Sequence, residues 1–320
     1  LEFEFEKSVK PGGSRLLSDP KDIRLGDLIK SGSDAKGDTD VGLIGVPWDW
    51  SSSGRPGSRF APVSIRSCLN LLSPFSSSSS IDLSRLSWKD YGDVKIAPGD
   101  AETSFDRITN VMSYASTHAK LSILLGGDHS ITYPSLRALA NEEIRLLVFD
   151  AHYDLRKTAE GRTSGSYLRE CYESEAIGKR LRAAIIGIRN FANPSYLRDN
   201  AKKFGIKYYT FEDVEERGIL DVIKDAGEFL QVFDAKTYIS VDLDVMDFTF
   251  CPGVNSPGSP GLNSGQILSG VRKAASMLDP IVLDLVEIVP WADRGSGTSL
   301  LASLIALSVV EGKFEKKLRQ

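Results

Sequence analysis

The sequence predicts an α/β fold: a mainly parallel sheet with helices packed on both sides. Three observations predict it. Short apolar runs recur along the chain, stretches of helical length and amphipathic pattern lie between them, and the connections are short. The apolar runs are Val41–Val46, Leu121–Leu125, Ile144–Phe149, Ala183–Ile188, Thr237–Val241 and Ile281–Val286. They are rich in Val, Ile and Leu and lack regular polar alternation, the pattern of strands covered on both faces. Between them, Phe105–His118, Tyr133–Ala140 and Ser264–Leu278 read as helices. In the last, Ile267, Leu268, Val271, Ala274, Ala275 and Leu278 fall on one face, and Asn263 stands at the N-cap position.

The run Leu300–Val310 carries Ser303 and Ser308, is too short to span a bilayer, and reads as a buried helix. Ser76–Ser80, following Pro74 and Phe75, reads as a surface loop. No charge block, repeat or linker divides the chain. One domain is expected over residues 41–320, preceded by an extension, residues 1–40, that no motif covers.

Composition narrows the function. A net charge of −4 gives no electrostatic case for nucleic acid or a membrane surface. Cys68, Cys171 and Cys251 are odd in number and widely spaced, which suits a reducing compartment and neither a disulfide framework nor thiolate metal ligation. The N-terminal residues lack the basic start and apolar core of a signal peptide, so a cytoplasmic location is expected.

In a parallel sheet, ligands bind beyond the carboxyl ends of the strands. The polar residues that follow the apolar runs are therefore the ones to inspect. Leu146–Phe149 leads into Asp150, His152 and Asp154; the strand ending at Val241 leads into Asp242 and Asp244; and Leu121–Leu125 leads, through two glycines, into Asp128 and His129. In extended chain, residues two apart share a face, so each D-x-[HD] pair is expected to point one way. Carboxylates at the ends of buried strands are costly unless paired or bound to cations. His129, Asp150, His152, Asp154, Asp242 and Asp244 would over-supply one ion, but two ions sharing carboxylates use all six and leave room for a water between them. Oxygen-rich ligation with imidazole suits Mn²⁺, with Co²⁺, Fe²⁺ or Zn²⁺ as alternatives. His118, the third histidine of the chain, falls at the end of a helix and reads as a surface residue.

On these residues the chain resembles the ureohydrolase family, which includes arginase, agmatinase, guanidinobutyrase and formimidoylglutamase. The motifs are GGDHS (Gly126–Ser130), DAHYD (Asp150–Asp154) and SVDLDVMD (Ser240–Asp247). Supporting matches are GRPGSRFAPVSIR (Gly54–Arg66), DYGD (Asp90–Asp93), SPGSPGL (Ser256–Leu262) and EIVP (Glu287–Pro290). The resemblance implies a three-layer α/β/α sandwich. It implies one ion held by His129, Asp150, Asp154 and Asp242 and another by Asp150, His152, Asp242 and Asp244, so that Asp150 and Asp242 bridge. It makes Glu287 the carboxylate that binds the substrate's planar nitrogen cation, and Asp154 the group that moves a proton to the leaving nitrogen.

The sequence also departs from the family. Arginases and agmatinases carry a histidine shortly after the DAHxD motif; here the segment reads TSGSYLRE, with Ser164 or a neighbour at the matching place and no histidine nearby. Formimidoylglutamases share that loss, and they share an arginine just after the motif (Arg156) and the pattern Ile188, Arg189, Phe191, Asn193. Arg156 and Arg189 are thus candidates for binding a substrate carboxylate. Phe248 follows Asp247 where the family commonly has proline. The leading expectation is hydrolysis of formimidoylglutamate to glutamate and formamide by a homo-oligomeric enzyme. The alternatives are a guanidino hydrolase such as agmatinase, and a ligand-binding protein on the same scaffold with reduced turnover. A one-zinc amide deacetylase is disfavoured by the doubled carboxylates.

Overall fold

The six apolar runs are strands of one nine-stranded sheet, seen in a computed structural model that describes residues 19, 21–32, 37–159, 161–231 and 234–320. The strands are β1 (Ile29–Ser31), β2 (Thr39–Gly45), β3 (Phe75–Ser76), β4 (Ile81–Asp82), β5 (Trp88–Asp93), β6 (Ala119–Leu125), β7 (Ile144–Phe149), β8 (Leu181–Ile188), β9 (Lys207–Thr210), β10 (Lys236–Asp242) and β11 (Val282–Val286). The sheet runs β1-β5-β2-β6-β11-β10-β7-β8-β9, with every pairing parallel. β3 and β4 form a separate antiparallel hairpin whose turn is the serine run after Ser76.

Alternation along each central strand divides the core in two. Leu121, Ile123, Leu147, Phe149, Ile239, Val241, Leu283 and Leu285 face the helices Ala61–Leu69, Ile219–Leu230, Ser264–Leu278 and Gly297–Leu318. Leu124, Leu146, Val148, Tyr238, Val282 and Val286 face Ala101–His118, Thr132–Arg137, Tyr167–Glu173 and Ser195–Lys203. The result is a three-layer α/β/α sandwich. Asn263 caps the helix Ser264–Leu278 by accepting from Gln266 N–H, and Gln266 returns the bond.

The apolar run near the C-terminus extends into a 22-residue helix, Gly297–Leu318. It is long and apolar enough to cross a membrane by length and composition, but 61% of its apolar window is buried inside the protein. A Cβ at Gly312 would sit 2.2 Å from the Arg272 carbonyl oxygen, so the absence of a side chain lets this helix and Ser264–Leu278 pack closely. Its start is held by Asp293, which accepts from the N–H and hydroxyl of Thr298 at 2.9 Å each.

The segment before residue 41 is drawn into the sheet where it is described: β1 pairs with β5 at one edge, and β2 begins at Thr39. Residues 1–18, within the expected extension, lie outside the described residues.

Candidate metal centre

Four adjacent strands, β6-β11-β10-β7, form the middle of the sheet and build the site at their carboxyl ends. Neighbouring strands lie about 4.8 Å apart, so four strand ends bring distant segments within reach of one small molecule. Register does the rest. Val241 pairs with Phe149 and Asp242 with Val286, which puts Asp242 level with Asp150 and one residue before Glu287.

The extended-chain expectation for the D-x-[HD] pairs is corrected by the structure. The chain turns at each strand end, and the first carboxylate folds the turn by accepting the N–H two residues on: His152 N to Asp150 Oδ1 at 2.6 Å, and Asp244 N to Asp242 Oδ1 at 2.7 Å. The second side chain then comes alongside the first. The glycines of GGDHS have a similar local reason. Gly126 and Gly127 have φ of 68° and 107°, and a Cβ on either would meet Ala61 Cβ at 2.5 Å or the Val46 carbonyl at 2.8 Å.

All six expected ligands converge. His129 Nδ1 lies 3.2 Å from Asp150 Oδ2, 3.1 Å from Asp154 Oδ2 and 3.2 Å from Asp242 Oδ2. His152 Nδ1 lies 3.5 Å from Asp150 Oδ1 and 3.1 Å from Asp244 Oδ2. His129, Asp150 and Asp242 form one potential metal group and Asp150, His152 and Asp244 a second, each with ligand atoms within 4.8 Å of one another. Asp150 belongs to both and turns one oxygen to each.

The donor set fits two divalent cations. His129 Nδ1 and Asp244 Oδ1 are buried without hydrogen-bond partners, as ligand atoms reserved for a metal would be. The four aspartates carry as much negative charge as two divalent ions carry positive. Without such ions their titration is distorted: burial and Asp150 push the Asp154 carboxyl up to about 6, and burial with Asp244 and Asp150 drives Asp242 well above its ordinary value.

A buried chain of hydrogen bonds selects the liganding nitrogen of His129. Ser240 donates its hydroxyl to Asp284 Oδ1 at 2.6 Å, so at 2.9 Å from His129 Nε2 it can only accept. Nε2 therefore holds the proton, and the Nδ1 lone pair faces the carboxylates. Asp284 also accepts from the hydroxyls of Thr132 and Tyr238, both at 2.7 Å. Tyr167 stacks on the His129 ring at 4.2 Å.

The centre opens into a cavity of about 450 Å³ lined by His152, Asp154, Asp242, Asp244 and Glu287, with Arg156, Ser164, Asn193 and Asn255 among the rest. Glu287 accepts from His129 N–H at 2.9 Å and from Asn255 Nδ2 at 2.7 Å; burial and the nearby Asp128 push its carboxyl up to about 8, so a cation set against it would restore its charge. Asp128 is no part of the cluster: it accepts from Ser51 and Ser130 N–H and shapes the turn. Arg156 is exposed on the cavity wall and makes no side-chain hydrogen bond or ion pair among the described residues. Ser164 is buried, with its hydroxyl 3.3 Å from that of Ser53.

Arg189, expected to bind substrate, is placed otherwise. Its guanidinium is spent on backbone: Nε donates to Pro260 O at 2.7 Å, and Nη2 to Asp244 O at 2.5 Å and Met246 O at 3.1 Å. It pins the turn that carries Asp244. Cys251 is fully buried, and His118 sits at its helix end against the Tyr114 carbonyl, as expected. Ser240, Asp284, Tyr167 and Asn255 were not singled out by sequence reasoning. Only Asp284 carries a sequence signal, a carboxylate in the middle of the apolar strand VLDLV.

A three-layer α/β/α fold with paired metal groups sharing a carboxylate at its central strand ends defines a metal-dependent hydrolase. A family model described as the Arginase family matches residues 39–311, and the chain belongs to that family, the ureohydrolases. It is 36% identical over 285 residues to the formimidoylglutamase of Halalkalibacterium halodurans, covering 87% of this chain and 88% of that one. It is 32% identical over 283 residues to guanidinopropionase of Pseudomonas aeruginosa, covering 84% and 85%. The crystal structure of formimidoylglutamase from Bacillus subtilis matches with a TM-score of 0.89 and 29% identity, covering 96% of each chain.

Proposed function

We propose that this hydrolase acts on an amidine bearing a carboxylate tail, formimidoylglutamate being the leading substrate, with Mn²⁺ as its metal. The observation that carries the proposal is Arg156, a cation on the wall of the same cavity as Glu287 with no protein partner among the described residues. The cavity lining thus offers both a carboxylate to a planar cation and a guanidinium to a carboxylate. The relative named formimidoylglutamase supports the reading.

His129, Asp150, Asp154 and Asp242 would hold one ion, and Asp150, His152, Asp242 and Asp244 the other. Such a pair, when bound, lowers the pKa of a shared water and polarises the group it attacks. The protein does the positioning. Glu287 aligns the amidinium by two parallel hydrogen bonds, and Arg156 holds the substrate's carboxylate. Asp154 turns Oδ2 to His129 and lines the cavity, so its Oδ1 is the atom to take the water's proton and deliver it to the leaving nitrogen. Water oxygen joins the formimino carbon, the bond from that carbon to the glutamate nitrogen breaks, and formamide and glutamate leave.

The relative named guanidinopropionase favours a second reading, a guanidino acid cleaved to urea. A panel of formimidoylglutamate, guanidino acids and agmatine with Mn²⁺, reading formamide and urea separately, decides between them. Arg156→Ala is expected to raise KM for the carboxylate-bearing substrate about 10–150-fold with metal content intact. An enzyme that prefers agmatine and is indifferent to Arg156→Ala would overturn the proposal.

A further inference from the structure

Glu287 is a strained residue held from several sides. Its φ is 64°, in the left-handed region where a non-glycine residue is costly, and only 3% of it is exposed. Its backbone N–H donates to Gly127 O at 3.0 Å, and its carbonyl accepts from Asn255 N–H at 3.0 Å. Its carboxylate accepts from His129 N–H on Oε1 and from the Asn255 amide on Oε2. Two of these four anchors come from one residue.

Asn255 is itself fixed for that task. Its Nδ2 carries two hydrogens; one goes to Glu287 and the other to Ser52 Oγ, while Oδ1 accepts from Ser256 Oγ at 3.1 Å. The amide orientation is dictated, because a carboxylate oxygen facing Oδ1 would leave both without a proton. The same Oδ1 lies 1.8 Å from where a Cβ on residue 54 would stand, so Gly54 makes room for it.

We infer that Asn255 is a positioning residue that sets the plane of the Glu287 carboxylate for the substrate's planar nitrogen cation. The inference rests on the reading of Glu287 as the substrate-binding carboxylate. The reason is geometric. Each carboxylate oxygen has two in-plane lone pairs, and here one on each is already taken, by His129 N–H and by the Asn255 amide. The remaining pair on each oxygen matches the two parallel N–H bonds of an amidinium. The terminal torsion of a glutamate is broad, so a single donor on Oε1 leaves the plane free to rotate. The donor on Oε2 removes that freedom before substrate arrives, and pre-organisation of this kind raises affinity for the bound geometry.

The test uses the Mn²⁺-loaded protein and two substitutions, Asn255→Ala and the near-isosteric Asn255→Leu, either of which removes the donor. Formamidinium chloride is titrated calorimetrically, so the readout needs no turnover. Binding is expected to weaken about 10–100-fold, and KM for the amidine substrate to rise by a similar factor with kcat changed far less. Inhibition by glutamate, which engages only the carboxylate-binding end, stays within about twofold, a change equivalent to well under one hydrogen bond. In a Glu287→Gln background the Asn255 substitutions add nothing. Unchanged formamidinium binding in both variants, or an equal effect in the Glu287→Gln background, overturns the assignment while leaving the role of Glu287 standing. A wild-type protein that does not bind formamidinium overturns the role of Glu287 and takes the Asn255 assignment with it.

Discussion

Replacing Arg189 with alanine separates a structural arginine from a substrate-binding one. Three carbonyl oxygens, those of Asp244, Met246 and Pro260, would lose a charged donor at a residue that is only 6% exposed. A hydrogen bond to a charged group is worth about 1.5–3 kcal/mol, and water entering the vacated space recovers part of the loss. A destabilisation of about 3–5 kcal/mol is expected, near the top of the range for single substitutions. In a chain of 320 residues that corresponds to a fall in Tm of about 4–8 °C. The consequence for the metal centre is specific, because Asp244 O is one of the three acceptors. Affinity for the ion beside His152 should fall at least about tenfold, while KM measured at saturating Mn²⁺ should stay within about threefold of wild type. Arg189→Lys should recover less than half of the stability, since one ammonium cannot reproduce the planar fork that spans Pro260 on one side and Asp244 and Met246 on another. The assays are thermal unfolding of metal-free protein, metal titration and steady-state kinetics on the same preparations. An unchanged Tm together with a tenfold rise in KM would refute this account and return Arg189 to the substrate.

Two further predictions concern shared groups. Asp150 turns one oxygen to each imidazole, so Asp150→Asn should strip both ions from the protein on dialysis, whereas His129→Ala should retain about one per chain; equal loss by elemental analysis would show that Asp150 is not shared. Asp40 is a pH prediction. Burial works upward on its carboxyl, but bonds from Lys317, Ser87 and Lys120 outweigh it and leave the group well below the ordinary carboxylate range. A depressed folded-state pKa stabilises above the unfolded value of about 3.9 and is lost as pH falls toward the folded value. Asp40→Asn should therefore cost roughly 1–2 kcal/mol at pH 7, discounted for the exposed lysines, and in urea unfolding the gap should begin to narrow only below about pH 4 and close as the folded-state value is approached.

The central sheet was legible because its strands are buried on both faces and read as unbroken apolar runs. The edge strands were not. β1 is three residues long, β5 (WKDYGD) mixes polar and aromatic residues, and β9 (KYYT) is half-exposed, so none carries that signal. The metal ligands were legible because carboxylates and both histidines recur together just after apolar runs; a single such aspartate can merely shape a turn, as Asp128 does. Asn255 and the backbone partners of Arg189 were not legible, because both are set by tertiary geometry. Arg189 reaches carbonyls 55–71 residues away, and backbone acceptors leave no mark in a sequence. The absence of the family's histidine near Ser164 was visible, and the structure fills that part of the wall with Arg156, Ser53 and Ser164.

Asp154 and Glu287 both hold left-handed backbone, with φ of 51° and 64°, as do four other non-glycine residues among those described. Each such conformation costs of order 1–3 kcal/mol that a glycine would not incur. A screen for heat resistance that reads only soluble yield would therefore tend to favour glycine at both positions. It would be selecting at once against the two carboxylates proposed to carry the proton and to anchor the substrate. Stabilising this protein by consensus or directed evolution consequently requires turnover as a second criterion at these two positions, and it is at surface sites such as the serine-rich hairpin that gains should come without that conflict.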